Sequence, residues 1–223
     1  AVMTTYSLDE TESFEELPDL LEWADVLCIG CGLGMGPHSE ELLKKVLENN
    51  KTPAVIDADG LNLLAKTDEW GIEQIRMNPS GYVLTPHMKE MSRLTGWSID
   101  TIMEDRFQAL DQIIKQSGPD TKSSIICVLK DSRTVVAQTN RQKFVNLAGN
   151  NSMAKGGSGN VLAGTIAGLL AQHMAPFEAT TVGVFLHACG GDEAKKSKGS
   201  YSVLARDLIQ GMADAMKNAK ECR

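Results

Sequence analysis

A glycine-rich segment in the last third of the chain holds the residues best suited to chemistry. Glycines let the backbone approach a ligand closely, and the apolar, small-residue run at 161–170 that follows predicts a buried helix. The first amides of such a helix favour an anion, so we predict a phosphate or oxyanion cradle with a serine able to cap the helix. The alternative is a tight turn that only begins a packed helix, and the segment fits neither a Walker A nor a GxGxxG pattern. Its residues are Gly156, Gly157, Ser158, Gly159 and Asn160.

Asn160 occupies the position at the mouth of the predicted helix where a catalytic acid or base would be expected. Its amide can orient a substrate, but it cannot take a proton at neutral pH. The cradle is therefore better suited to binding than to proton transfer.

Further candidate residues follow predicted strands. Four alternating glycines at 30–36 could approach a nucleotide, although a cramped loop is a common alternative. Asp59 could polarise a substrate or a hydrated cation, or it could cap the next helix. His87 directly follows a strand, where a neutral imidazole could hydrogen-bond an amide or a hydroxyl. The other histidines are expected on helix surfaces or in helix packing; they are His38, His173 and His187.

A polar segment after another predicted strand combines two cations with two hydroxyls. This composition suits nucleotide phosphates, and an ordinary polar turn is an equal alternative. The residues are Lys130, Asp131, Ser132, Arg133 and Thr134.

The elements that must position these residues alternate between apolar strands and amphipathic helices. This alternation predicts an α/β fold with a mostly parallel sheet and right-handed crossovers. Two short runs close together, at 134–137 and 143–146, predict an antiparallel hairpin at the sheet edge. Because ligands of open α/β sheets lie beyond the carboxyl ends of the strands, we expect the polar segments to meet in one cleft. The predicted strands are 24–30, 53–59, 82–85 and 124–130, and the helices are 40–47, 61–65, 89–95, 99–116, 161–172, 176–195 and 202–217.

Composition indicates one globular domain over residues 1–223, with 42% hydrophobic residues. The net charge of -7 argues against a nucleic-acid or anionic-membrane partner, and no apolar run reaches transmembrane length. Five cysteines, an odd number, indicate reduced thiols and a cytoplasmic protein. Cys28 and Cys31 form a Cys-x-x-Cys, but Cys28 falls in a predicted buried strand, so we expect a structural role rather than zinc or redox chemistry.

Four segments together resemble the ADP/ATP-dependent NAD(P)H-hydrate dehydratases, which are ribokinase-like proteins often fused behind an NAD(P)H-hydrate epimerase domain. The resemblance covers nearly the whole chain, and the pairing of Thr-Pro-His at 85–87 with Gly-Gly-Ser-Gly at 156–159 is specific. It implies a three-layer α/β/α domain that removes water from hydrated NADH or NADPH at the expense of ADP or ATP, with Mg²⁺. The segments are 57–62, 84–94, 128–130 and 149–162.

The resemblance also implies roles for single residues. Gly34, His87 and Asn160 are similar to contacts with the hydrated cofactor, and Asn160 stands where the family has the aspartate that deprotonates the receiving hydroxyl. No metal ligand is assigned. The segments similar to the nucleotide phosphate site are 130–134 and 156–159.

This chain departs from the family pattern at several places. Besides Asn160, Cys31 replaces a usual proline and Asp131 a usual glycine. The family opens with further strands that find no counterpart here, so we expect a truncated sheet. Either a second copy of the chain or a fused segment covers the edge of that sheet, or the fragment is poorly competent. Two other classes remain open, a small-molecule kinase acting on a sugar or vitamin alcohol and a non-catalytic nucleotide-binding module.

Overall fold

The computed structural model describes residues 14–67, 71–72, 75, 81–115, 125–139, 141 and 143–221. Several acidic residues near the start of the chain, Cys222 and the end of the predicted helix at 116 lie outside these residues.

A sheet of six described strands forms the middle of the molecule, in the order in which the strands occur in the chain. The first four strands are parallel to one another, and the fifth is antiparallel to both the fourth and the sixth, which confirms the predicted mostly parallel sheet with a hairpin at one edge. The strands are β1 (Leu27–Ile29), β2 (Ala54–Ile56), β3 (Tyr82–Leu84), β4 (Ile125–Leu129), β5 (Val135–Gln138) and β6 (Phe144–Val145).

Helices cover both faces of this sheet and account for most of the remaining described residues. They are α1 (Leu17–Trp23), α2 (Pro37–Asn49), α3 (Asp59–Leu64), α4 (Met88–Thr95), α5 (Ile99–Glu104), α6 (Arg106–Ile114), α7 (Ser158–Leu170), α8 (Pro176–Lys198) and α9 (Ala205–Glu221). In the part of the chain that the structure describes, no helix is both long enough and apolar enough to span a membrane.

The prediction of one helix over 99–116 is wrong. Asp105 leaves the helical conformation with φ -141° and ψ 86°. Its side chain accepts a hydrogen bond from the amide of Gln108 at 2.9 Å, so it ends α5 and caps α6. Short polar side chains favour such caps over helix interiors.

Alternate residues of each strand supply two separate apolar layers. Ala54 and Ile56 of β2 pack with α2 to α6, whereas Val55 between them packs with α7 and α8. The period of two follows from the pleat of a strand. The resulting three layers, helices on either side of the sheet, confirm the predicted architecture.

The carboxyl ends of β1 and β2 meet at a point where only glycine fits. Gly30 has φ 115°, and a Cβ there would lie 1.9 Å from the carbonyl oxygen of Asp57. Ala58, the next residue, also has a positive φ of 49°, which a non-glycine residue adopts only at a cost of about 1–3 kcal/mol. This backbone strain lies between Asp57 and the candidate site residue Asp59.

Candidate active site

A buried ion pair forms the centre of the site. Nζ of Lys130, after β4, lies 2.6 Å from Oδ1 of Asp57, after β2, and 3.9 Å from Oε2 of Glu90 in α4. The Asp57 and Glu90 side chains are only 2% and 5% exposed, so two buried carboxylates share one ammonium. Burial raises the pKa of Glu90, against the opposing effects of the His87 amide and Lys130.

The strands fix the position of Lys130. Its amide donates to the carbonyl of Pro86 at 2.8 Å, and Lys130 pairs with His87 as an isolated bridge just beyond the β3–β4 ladder. Lys130 therefore projects from the carboxyl end of the sheet, where the polar segments were predicted to meet.

His87 is the N-cap of α4. Its Nδ1 accepts a hydrogen bond from the Glu90 amide at 3.1 Å, while the His87 amide donates to Oε2 of Glu90 at 2.8 Å. This reciprocal capping box makes Nδ1 an acceptor and places the ring proton on Nε2. The ring is half-exposed at the cleft, so the predicted contact of His87 with a substrate remains a prediction.

The rest of the polar segment at 130–134 forms a turn at the surface. Asp131 pairs with Arg106 at 2.7 Å, and Arg133 is exposed, with its guanidinium 3.4 Å from the carbonyl of Ser132. Lys130 is the member of this segment that the structure places beside Asp57. The nucleotide contacts predicted for the other four residues remain predictions.

The glycine-rich segment begins α7 beside the ion pair. Gly157, with φ 87°, is the N-cap, and the helix has no side-chain cap. Ser158 is the first residue inside the helix, so the prediction that it caps α7 is wrong. A Cβ placed on Gly159 would lie 3.3 Å from Nζ of Lys130 and 3.5 Å from Oδ2 of Asp57. The uncapped first turn of α7 therefore faces the charged centre.

Two side chains of α8 hydrogen-bond to the cradle and to the segment that precedes it. Nε2 of His187 lies 3.0 Å from the carbonyl oxygen of Ser158, and burial lowers the pKa of His187 to about 4, so the ring is neutral at pH 7. Asp192 accepts from the amide of Gly149 at 3.0 Å and from Nδ2 of Asn150 at 2.7 Å. The expectation that His187 packs between helices is confirmed, and these bonds fix the segment that leads into α7.

The glycine-rich loop at 30–36, after β1, contacts the two aspartates that follow β2. The Gly34 amide donates to Oδ2 of Asp59 at 2.9 Å, and Sγ of Cys31 donates to Oδ2 of Asp57 at 3.8 Å. All five polar segments therefore meet at one edge of the sheet, as predicted.

Asn160 is the third residue of α7, and its side chain is exposed. The amides of the first turn have no acceptor within the helix, because the first four donors of any α-helix lack one. Asn160 lies in this first turn, and its predicted role in orienting the substrate remains a prediction.

Asp57 and Glu90 are the site residues that sequence reasoning did not assign. Asp57 follows a buried strand, as Lys130 does, and polar residues at the ends of neighbouring strands are a usable signal. Glu90 lies three residues after His87, but histidine is not a usual N-cap residue, so that spacing alone did not predict the capping box.

A family model described as NAD(P)H-hydrate dehydratase matches residues 1–213. The chain belongs to this family. It is 37% identical to a bifunctional NAD(P)H-hydrate repair enzyme, Nnr, of Moorella thermoacetica over 97% of its own length and 40% of that protein. The chain thus spans well under half the length of the first curated relatives that it matches.

Solved structures confirm the ribokinase-like fold. An ADP/ATP-dependent NAD(P)H-hydrate dehydratase from Bacillus subtilis, co-crystallised with ATP and Mg²⁺, superposes with a TM-score of 0.72 at 26% identity, over 87% of this chain and 64% of that one. A ribokinase-like superfamily protein from Enterococcus faecalis gives a TM-score of 0.72 at 31% identity, over 91% of this chain and 66% of that one.

Proposed function

We propose that this chain removes water from hydrated NADH or NADPH in a reaction that consumes ADP or ATP. The observation that carries the proposal is the uncapped first turn of α7, with Gly159 against Lys130 and Asp57. The names of its relatives support this choice of substrates over a sugar or vitamin alcohol.

The cradle fits nucleotide phosphates. Backbone amides at a helix N-terminus bind anions without a side chain, and the missing Cβ of Gly159 leaves room beside Lys130. The charge of Lys130 is shared with Asp57 and Glu90, so we assign most of the phosphate attraction to the amides of α7.

Mg²⁺ fits the site only together with phosphates. Among the residues described, no three histidine, cysteine or carboxylate side chains cluster closely enough to hold a metal ion. Mg²⁺ is commonly held by one or two carboxylates and the phosphates of its nucleotide, and it neutralises phosphate charge there.

The proposed chemistry transfers a phosphoryl group from ADP or ATP to the hydroxyl of the hydrate, which releases AMP or ADP and gives up the hydroxyl proton to solvent. Elimination of inorganic phosphate from the resulting ester then restores the dihydronicotinamide. In this scheme the α7 amides hold the moving charge, Gly34 and His87 contact the nicotinamide moiety, and Asn160 orients the hydroxyl. Positioning and charge stabilisation supply most of the rate in such transfers. The amide of Asn160 cannot accept the hydroxyl proton, so we expect slow turnover.

We also propose that the chain acts in the cytoplasm as a homo-oligomer. Free cysteines on the described surface suit a reducing compartment. A second copy pairing near β1, an edge of the described sheet, would cover its open backbone groups.

The test is to incubate the protein with hydrated NADH, Mg²⁺ and either ADP or ATP, and to follow the recovery of dihydronicotinamide absorbance. We expect nucleotide-dependent recovery above the rate without protein. A stable phosphate ester formed from an alcohol substrate, with no recovered NADH, would instead identify a kinase. Tight nucleotide binding with neither product would identify a non-catalytic module.

Substituting Gly159 with alanine should weaken ADP binding. The new methyl group lies within 3.3 Å of Nζ of Lys130. It also occupies the space beside the first-turn amides where the phosphates are proposed to bind. Loss of one charge-assisted hydrogen bond to a phosphate costs about 1.5–3 kcal/mol, which is roughly 10- to 150-fold in affinity by titration calorimetry.

The matched control is Gly164→Ala in the same helix. A Cβ added at Gly164 would have no neighbouring heavy atom of the described residues within 4 Å. This variant should bind ADP as the unsubstituted protein does. Equal affinities for both variants would place the phosphates away from the first turn of α7.

A further inference from the structure

The buried face of α8 is built mostly from small residues, with one imidazole among them. A Cβ on Gly183 would lie 2.9 Å from Cγ1 of Ile166 in α7, so the two helices approach closely there. His187 follows one turn later and is only 9% exposed. A buried polar ring needs a hydrogen-bond partner, and Nε2 of His187 lies 3.0 Å from the carbonyl oxygen of Ser158. The ring is therefore held against the first residue of α7.

This contact determines the tautomer of His187. A carbonyl oxygen can only accept a hydrogen bond, so Nε2 carries the ring proton and donates it. Burial lowers the pKa of His187 to about 4, the bond to Ser158 opposes this effect, and the charge of Lys130 adds to it. At pH 7 the donor is thus a neutral ring, which brings no second positive charge to the site.

The Ser158 carbonyl belongs to the same peptide group as the amide of Gly159. Because a peptide group is planar, holding its oxygen also fixes the direction of its N–H. The Ser158 amide itself donates to the carbonyl of Lys155 at 3.4 Å, whereas the Gly159 amide is among the donors for which a helix supplies no acceptor. Gly159 also adjoins the charged centre, since a Cβ there would lie 3.3 Å from Nζ of Lys130. His187 therefore acts on the peptide whose amide is available to a ligand.

A hydrogen bond to a carbonyl also strengthens the N–H of the same peptide as a donor. The bond draws electron density from the peptide nitrogen, and linked bonds strengthen one another by about 10–30%. We propose that His187 is a positioning residue of the phosphate cradle: its Nε2–H orients and polarises the Ser158–Gly159 peptide, so that the Gly159 amide binds a nucleotide phosphate more tightly. This inference rests on the assignment of nucleotide phosphates to the α7 amides under the proposed function.

Asp192 of the same helix has a different role. It accepts from the Gly149 amide at 3.0 Å and from Nδ2 of Asn150 at 2.7 Å. These bonds hold the segment that precedes the cradle, whereas the bond from His187 reaches a peptide of the first turn of α7. Substitution of His187 therefore tests the amide itself rather than the path of the chain toward it.

The test compares His187→Leu with His187→Gln. Leucine fills the space without a donor, whereas the side-chain amide of glutamine can donate to the Ser158 carbonyl in place of Nε2. By titration calorimetry, His187→Leu should bind ADP roughly 2- to 12-fold more weakly, which is the effect of one neutral hydrogen bond. His187→Gln should bind ADP nearly as the unsubstituted protein does. Pyrophosphate should show the same order, because the amides contact phosphate rather than base.

Thr180→Val is the matched control. Thr180 is fully buried in α8, and its Oγ1 donates to the carbonyl of Pro176 in the same helix at 2.7 Å. The change removes one buried hydrogen bond of α8 without touching the cradle. ADP affinity should therefore stay unchanged even if the urea midpoint falls.

Nuclear magnetic resonance gives a readout that helix packing alone would not move. The ring of His187 in the unsubstituted protein should show the Nε2–H tautomer. The amide nitrogen shift of Gly159, without ligand, should change in His187→Leu and return toward its original value in His187→Gln.

An Nδ1–H tautomer in the unsubstituted protein would overturn the inference, even if neither variant folds. Equal loss of ADP affinity in both His187 variants, or equal retention in both, would also overturn it. Failure of the proposed function has a different signature, because hydrated NADH is then not repaired while binding of ADP or pyrophosphate still depends on His187. Absence of binding of both ADP and pyrophosphate to the unsubstituted protein would overturn the two proposals together.

Discussion

Asn160→Asp is expected to raise dehydratase turnover by roughly 10²–10⁴-fold, the usual contribution of a positioned general base. The two side chains have nearly the same size, but only the carboxylate can accept the hydroxyl proton. Position 160 is the third residue of α7, where a carboxylate also interacts favourably with the helix dipole. Steady-state rates should therefore rise without loss of stability, and nucleotide affinity should change little.

Asn160→Ala is the control for this comparison and should be no faster than the unsubstituted protein. Equal rates for the asparagine and aspartate forms, in folded protein that binds nucleotide, would show that position 160 supplies no base. Asp57 would then be the next candidate, because its Oδ2 lies near Gly159 whereas Oδ2 of Asp59 is bound to the Gly34 amide.

Lys130→Ala is expected to lower the free energy of unfolding by about 3–5 kcal/mol, as removing one partner of a buried pair does. The change leaves two carboxylates, Asp57 and Glu90, buried side by side without their ammonium. Urea denaturation measures the loss. ADP affinity should fall as well when it is measured under conditions in which the variant remains folded.

Lys143→Ala is the matched control, because Lys143 pairs with Asp111 at 2.7 Å on the surface. Its loss should change stability by only about 0–1 kcal/mol. If the two variants unfold at the same urea concentration, Lys130 does not compensate buried charge. If Lys130→Ala remains stable but loses ADP binding, phosphate contact is its main role.

The sequence predicted the order of strands and helices well because apolar runs and amphipathic runs alternate so regularly. It also predicted that the strand ends would converge, since the carboxyl ends of parallel strands lie at one edge of a sheet. The strands themselves are shorter than predicted, as β1 shows with Leu27–Ile29 against 24–30, because flanking residues turn into loops.

The sequence alone could not predict which residues far apart in the chain would contact each other. The partner of Lys130 is Asp57, 73 positions earlier in the chain, and no local pattern indicates that choice. Cys28 lies in a strand, as predicted, but it is exposed rather than buried. Its strand β1 is an edge of the described sheet, which composition does not reveal. The break at Asp105 had a local signal, a capping aspartate, but the apolar period on both sides outweighed it.

The missing side-chain cap of α7 has a consequence for the stability of the protein itself. A phosphate group held by the first amides would serve as the cap that Gly157 does not provide. Ligand binding and completion of the helix would then be one event, with a single free energy. Without ligand, we expect the first turn of α7 to open more easily than the middle of the helix. With ligand, its amides exchange their hydrogens more slowly, and the whole domain gains the stability that occupancy supplies.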